Sequence, residues 1–369
     1  MALSHRGRGV VVLLVNLAYC LGQPTGTTTY AFNLLPYLNS LGPTYLAGQP
    51  LPHRAEPYRH PISPGMTAAD GMAGHLKRLW WTQTQLPRLY RQTKAGLLFS
   101  PLPEAPLGQG IPYVVTVHDL IPLRFYRPWA AMRLYSRYYM PQVLAQARQI
   151  ICNSTATAED VMQFLGRPAH GLSVIPLAYD EARFRWLDLP SQNYFLCLGR
   201  SAPHKNWGRV IAAFAQLPHQ SDYELWLVGP YDGRYTPTLQ AEAAALGVGD
   251  RVKVLNFVAA ADLVTILNQA QALLFPSLWE GFGLPILEAM ACGTPVITAN
   301  LAAMPEVAGD AALLVDPYRV EDITHAMARI IQEPELRRHL RQAGFSRIGQ
   351  FSQRRMGEAT VAVLQEVGE

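Results

Sequence analysis

The stretch QALLFPSLWEGFGLPILEAMACGTPVITAN, residues 271–300, decides the architecture. It opens on a short apolar run, crosses a loop with two glycines, turns helical in pattern at Pro285, and closes on a second β-branched run. Strand, crossover helix and strand in that order form a βαβ unit, the building block of a parallel sheet. Glu280 falls at the carboxyl end of the first strand. Glu288 falls within about one turn of the helix start, where the dipole and free N–H groups favour negative charge. Gly281 and Gly283 let the backbone approach a ligand, and the N–H groups of Phe282, Gly283 and Leu284 are placed to hold one. Carboxylates are seldom buried without a partner. Two of them beside an N–H-lined loop suit a ligand rich in hydroxyls that also carries phosphate. The plainer alternative is a helix-start acid and a loop charge.

The same unit recurs on both sides. Upstream, strand patterns at 9–17, 95–100, 112–120, 149–154 and 170–179 alternate with helical patterns such as 27–42 and 155–166. Periodicity lapses after residue 180, and the cycle restarts at 194–200, 223–230, 251–258, 271–277, 293–300 and 311–317. Two successive sets of parallel strands imply an α/β chain of two Rossmann-like, doubly wound domains. Their expected bounds are 1–180 and 194–350, joined by a linker at 181–193 and followed by a terminal helix at 351–369. In such sheets a ligand sits beyond the carboxyl ends of the strands.

With 369 residues, half of them apolar and only 16% charged, the chain is folded and too long for one ordinary core. The net charge of +4 is unevenly spread. Through residue 180 there are 15 Lys and Arg against 7 Asp and Glu; after it, 16 against 20. The basic first half either meets an anionic partner, phosphate or an acidic membrane, or forms a solvated face. No nucleic acid is expected. Cys20, Cys152, Cys197 and Cys292 lie far apart with no zinc-like spacing, which suits buried free thiols in a reducing compartment. Arg6 and Arg8 before an apolar run imitate a signal peptide. The bulky Tyr19, followed at once by a turn rich in Gly and Thr, argues for a first buried strand instead. No apolar run reaches the roughly 18 residues of a spanning helix.

Three further segments follow strands. LCLGRSAPHKNW (196–207) sets Gly199, Arg200 and Lys205 in one loop, where the two cations form a diphosphate clamp or stand as exposed loop charges. YVVTVHDLIPL (113–123) ends a strand on His118 and Asp119, without a G-x-S-x-G elbow; the histidine can bind a substrate hydroxyl, act as general base, or be structural. LGQPTGTTTYAFNLL (21–35) places Gly22 and Gly26 before the first helix, the usual site of a phosphate-approach loop. It is neither G-x-G-x-x-G nor a P-loop, so dinucleotide binding is poorly supported.

In this order the four segments resemble the family-4 (GT4) retaining glycosyltransferases, which have the GT-B fold of two Rossmann-like domains facing a cleft. The whole chain looks similar to bacterial polysaccharide and O-antigen mannosyltransferases. EGFGLPILEAMACGTPVI matches that family's E-x7-E motif, GRSAPHKN its donor-phosphate segment, and VTVHDL its histidine loop. The resemblance implies a catalytic set of His118, Glu280, Arg200 and Lys205. It implies donor binding by Gly26, Gly199, Arg200, Lys205, Glu280, Gly281, Phe282, Gly283, Leu284 and Glu288, with Glu288 on ribose hydroxyls. The donor is a GDP- or UDP-linked hexose, with a lean to mannose, and the leaving phosphate takes the acceptor's proton. No metal and no resident cofactor are expected. The terminal helix packs back on the first domain in the family, although Gln353 stands where a tryptophan is frequent. The rivals are a nicotinamide-dependent oxidoreductase and a non-catalytic nucleotide-sugar-binding protein.

HLKRLWWTQTQLPRLYRQTK, residues 75–94, joins five cations to Trp80 and Trp81. Such a segment docks on an anionic bilayer or packs its tryptophans inward. Docking would place the enzyme in the cytoplasm at the inner face of the membrane, acting on a saccharide or a lipid-diphosphate-linked saccharide.

Overall fold

A computed structural model of the chain describes residues 12–21, 26–125, 130–218, 220–256 and 258–369. Two wholly parallel sheets organise it. The first comprises β1 (Leu13–Asn16), β2 (Thr44–Ala47), β3 (Arg59–Pro61), β4 (Leu97–Ser100), β5 (Tyr113–Val117), β6 (Gln149–Cys152) and β7 (Leu172–Val174). Its spatial order is β3-β2-β1-β4-β5-β6-β7. The second comprises β8 (Tyr194–Leu198), β9 (Glu224–Val228), β10 (Val252–Leu255), β11 (Ala272–Phe275), β12 (Val296–Ala299) and β13 (Leu313–Val315). Its order is β10-β9-β8-β11-β12-β13. Winding reverses between β1 and β4 and between β8 and β11. At such a reversal the flanking connections diverge and leave a crevice beyond the strand ends.

The central strands read YVVTV, YFLCL, ALLF and VITA and are buried throughout. Helices cover both faces there, so no position of these four strands faces water and the runs are apolar rather than alternating. The helices that shape the crevice are α1 (Gly26–Leu38), α2 (Gly71–Thr84), α3 (Thr155–Leu165), α4 (Trp207–Ala215), α5 (Leu284–Ala291) and α6 (Gln353–Gly368). β2 and β3 exceed what the pattern foretells. TYLA is too short to show a period, and RHP, with its proline, sits on the sheet edge, where a missing N–H is tolerated.

The two domains share a core behind the crevice. One apolar cluster runs from Val15 and Phe99 through Leu177, Phe184, Phe282 and Phe351 to Leu196 and Leu273. Helix α6 crosses back onto α1, where Gly357 presses on the Tyr37 ring. Ser352 caps α6 by accepting from Arg355 N. Gln353 anchors the crossing through its backbone, N–H to Glu181 Oε1 at 2.8 Å, so the unusual side chain there is no obstacle. All four cysteines are free and buried.

Candidate active site

Two loops of the second domain meet at its switch point. The loop after β8 carries Gly199, Arg200 and Lys205; the loop after β11 carries Glu280, Gly281, Phe282 and Gly283. Lys205 Nζ donates to Glu280 Oε1 at 2.7 Å, with both side chains largely buried. The loops are zipped by Asn206 Nδ2, which donates to the carbonyls of Pro276 (3.0 Å) and Pro317 (2.6 Å), and by Leu278 N to His204 O at 2.7 Å. Lys205 lies over the Phe275 ring and against Gly199. Arg200 stays exposed at the strand end; the Asp232 carboxyl is held down mainly by its hydrogen bonds from Arg234, with a small contribution from the Arg200 charge. The two cations therefore stand apart, Lys205 committed to Glu280 and Arg200 open to solvent. A buried ion pair gains little net stability after desolvation.

Glu288 lies one turn into α5, in a cavity of about 170 Å³. Thr29 and Asn33 of α1, Asp180 at the end of the first domain, and Arg183 and Phe184 of the linker also line it. Burial pushes the Glu288 carboxyl up to about 7; Arg183 opposes the rise and Asp180 adds to it.

The facing wall belongs to the first domain. His118 follows β5, and its Nε2 lies 3.0 Å from Pro101 O. A carbonyl only accepts, so Nε2 carries the proton and Nδ1 keeps a lone pair for a hydroxyl. Burial pushes this imidazole down to about 4, which leaves it neutral at pH 7. Tyr30 stands edge-on to the ring at 4.8 Å. Asp119 Oδ1 accepts from Ile121 N at 3.0 Å, and burial, reinforced by Glu280, raises its carboxyl to about 6.

The walls touch at Gly281. A Cβ there would lie 1.8 Å from His118 O, so only glycine fits. Gly281 O accepts from Ser154 Oγ at 2.5 Å and Thr157 Oγ1 at 3.1 Å, both at the start of α3. Thr155 N donates to both Glu306 oxygens (2.9 and 3.0 Å), and the Arg124 guanidinium stacks on Trp279 at 3.5 Å. Asn153 Nδ2 holds His118 O at 2.9 Å. Next in the loop, Gly283 has φ +108, a value L side chains rarely adopt, and starts α5.

Comparison with known proteins decides the family. Residues 24–183 match the family described as Glycosyltransferase Family 4, and residues 179–347 that described as Glycosyl transferases group 1. The chain belongs to the family-4 glycosyltransferases. It is 30% identical to the MMP α-(1→4)-mannosyltransferase of Mycolicibacterium hassiacum over 70% of this chain and 66% of that one. It is 29% identical to the O-antigen chain mannosyltransferase B of Escherichia coli over 65% and 66%. The chain thus spans just under two thirds of the length of these relatives. The fold of this glycosyltransferase matches that of HepE from Anabaena, solved with UDP and glucose, at a TM-score of 0.74 and 21% identity over 96% of this chain and all of that one. The architecture is GT-B.

In the glycosyltransferase the sequence-derived residues converge on one crevice: Gly199, Lys205 and Glu280 through Leu284 on one wall, His118 on the other, Glu288 behind. Gly26 opens α1, with Thr27 beside His118 and Thr29 beside Glu288. Gly22 lies outside the described residues. Ser154, Thr157 and Glu306 escaped the sequence reading. A serine between strand and helix signals an N-cap, which Ser154 is, since Thr157 N donates to its Oγ at 3.0 Å. Nothing local says that its own proton reaches the other domain. Asp180 and Arg183 were masked by their place at the edge of the linker. Trp81 is buried and Arg78 is locked in an ion pair with Glu104, so residues 75–94 do not present all their aromatics and cations outward.

Proposed function

We propose that this glycosyltransferase moves a hexose, mannose by its relatives, from a nucleoside diphosphate sugar to a saccharide acceptor with retention at the anomeric carbon. The observation that carries it is the pair of acids on one strand–loop–helix unit, Glu280 and Glu288, on either side of the Gly281–Leu284 loop and facing His118. Glu288 would accept from ribose hydroxyls in its cavity. Lys205, released from Glu280, and Arg200 would receive the diphosphate with the N–H groups at the start of α5. His118 Nδ1 would accept from a donor-sugar hydroxyl. The departing phosphate, stabilised by those cations, would take the acceptor's proton on the same face. Catalysis is then positioning and electrostatic stabilisation, and we assign no step to a metal. Calorimetric titration with GDP, UDP and NAD tests the donor class: one nucleoside diphosphate binds and NAD stays silent. NAD binding alone would overturn the proposal.

The acceptor side is compatible with a membrane surface. Met72, Leu76 and Trp80 recur at four-residue spacing on α2 and are exposed, Trp80 by 61% against 6% for Trp81. Between residues 71 and 148 the only acids are Glu104 and Asp119, the first buried against Arg78 and the second tied to Ile121 N, so cations dominate this surface. An apolar stripe amid basic residues suits an anionic bilayer, and the proposed acceptor is a lipid-linked saccharide. Among the described residues no helix is long and apolar enough to cross a membrane. Flotation with phosphatidylglycerol vesicles tests docking, and Trp80→Ala should weaken it. A protein that stays at the bottom of the gradient refutes it.

A further inference from the structure

Beneath His118, on the first-domain wall of the crevice, lies a second cavity of about 160 Å³. That is room for about five waters at roughly 30 Å³ each, or for one sugar ring. Its polar side includes Arg78, Glu104, His75, His118 and Asp119; its apolar side includes Leu102 and Tyr135. Arg78 and Glu104 form a bidentate pair, Nε to Oε2 at 2.7 Å and Nη2 to Oε1 at 2.8 Å, and both are buried. Arg78 Nη1 donates to Met66 O at 2.7 Å. Arg78 Nη2 also lies 2.9 Å from His75 Nδ1. Arginine only donates, so His75 accepts at Nδ1 and keeps its proton on Nε2.

A buried ion pair is weak evidence of stability, because apolar residues of similar volume frequently do as well. On a cavity wall it does something apolar residues cannot, presenting fixed donors and acceptors with no net charge. Arg78 is the one permanent cation among the described lining residues, and Glu104 already neutralises it. An incoming carboxylate or phosphate would meet no spare cation and two acids, Glu104 and Asp119. Hydroxyls would find acceptors in those acids, while an apolar ring face would lie toward Leu102 and Tyr135.

We propose that this cavity receives the terminal sugar of the acceptor and selects a neutral sugar over a uronic or phosphorylated one. The assignment rests on the sugar-transfer function proposed above, and a binding experiment separates the two. Saturation-transfer NMR on the full chain, with GDP or UDP present, would compare methyl mannoside, methyl glucoside and methyl glucuronide. The neutral glycosides should bind at least tenfold more tightly than the glucuronide. Glu104→Gln uncovers the Arg78 charge and should narrow or reverse that preference. Arg78→Met combined with Glu104→Leu restores an uncharged wall of similar volume; it should lose neutral-glycoside binding while keeping nucleotide affinity and a cooperative melt, the checks that it folds. Equal binding of glucuronide by the parent, or unchanged glycoside binding in the double variant, overturns the proposal. Failure of the donor assignment appears separately, as absent nucleoside diphosphate binding in the same samples.

Discussion

Gly281→Ala should inactivate transfer without unfolding the protein. A methyl at that position starts 1.8 Å from His118 O, and real Cβ contacts essentially never fall below 3.0 Å. The walls must therefore part by about 1.2 Å, the difference between those distances. The hydrogen bonds from Ser154 and Thr157 to Gly281 O, now 2.5 and 3.1 Å, would then both pass out of range. A misplacement of about 1 Å in a reacting constellation costs on the order of 10²-fold in rate, or about 2.7 kcal/mol of barrier. The apolar clusters on the outer faces of the two sheets are not disturbed, so the melting temperature should move by only a few degrees. Initial-rate kinetics with a saturating donor would give kcat, calorimetry the nucleotide affinity, and a thermal melt the fold. Nucleotide binding should survive while kcat falls. Parental kcat in a folded Gly281→Ala protein would refute the idea that this contact sets the working separation of the walls.

The other predictions concern single groups. Ser154→Ala removes the proton that Gly281 O accepts, so kcat should drop about tenfold, the worth of one hydrogen bond near 1.4 kcal/mol, with about 1 kcal/mol of stability lost with the α3 cap; Ser154→Thr should restore both. Glu280→Gln should depress transfer tenfold or more while nucleotide affinity, measured by calorimetry, changes little. Glu288 titrates in the fold near 7 rather than 4.5, so the folded state holds an extra proton between those values. Stability should fall as pH rises from about 4.5 to 7 and level off above, by up to about 3 kcal/mol at 1.36 per pH unit. In denaturant titrations Glu288→Gln should flatten that slope, and a variant as pH-dependent as the parent would count against the assignment.

The sequence alone carried the strand ends, because a parallel strand buried on both faces must be apolar and its ligand-facing residues must follow it. That logic located Glu280, Lys205 and His118 from residues no more than a few positions away. It also placed Glu288 at a helix start, where a carboxylate is tolerated for local reasons. β2 and β3 stayed hidden, being too short to show a period and strands only through pairing, β2 on β1 and β3 on β2.

Pairing between distant residues was the part that only the tertiary structure decided. Lys205 and Glu280 are 75 residues apart, Ser154 and Gly281 127. Both are polar contacts whose local patterns mean something else, a loop cation in one case and a helix cap in the other. Arg78 read as a surface charge because cations are ordinarily solvated, and only Glu104, 26 residues on, turned it inward. Periodicity records which face of an element is apolar; it holds no record of which element of the other domain comes to rest against it. The separation of the two walls, and so the chemistry between them, is set by that second fact.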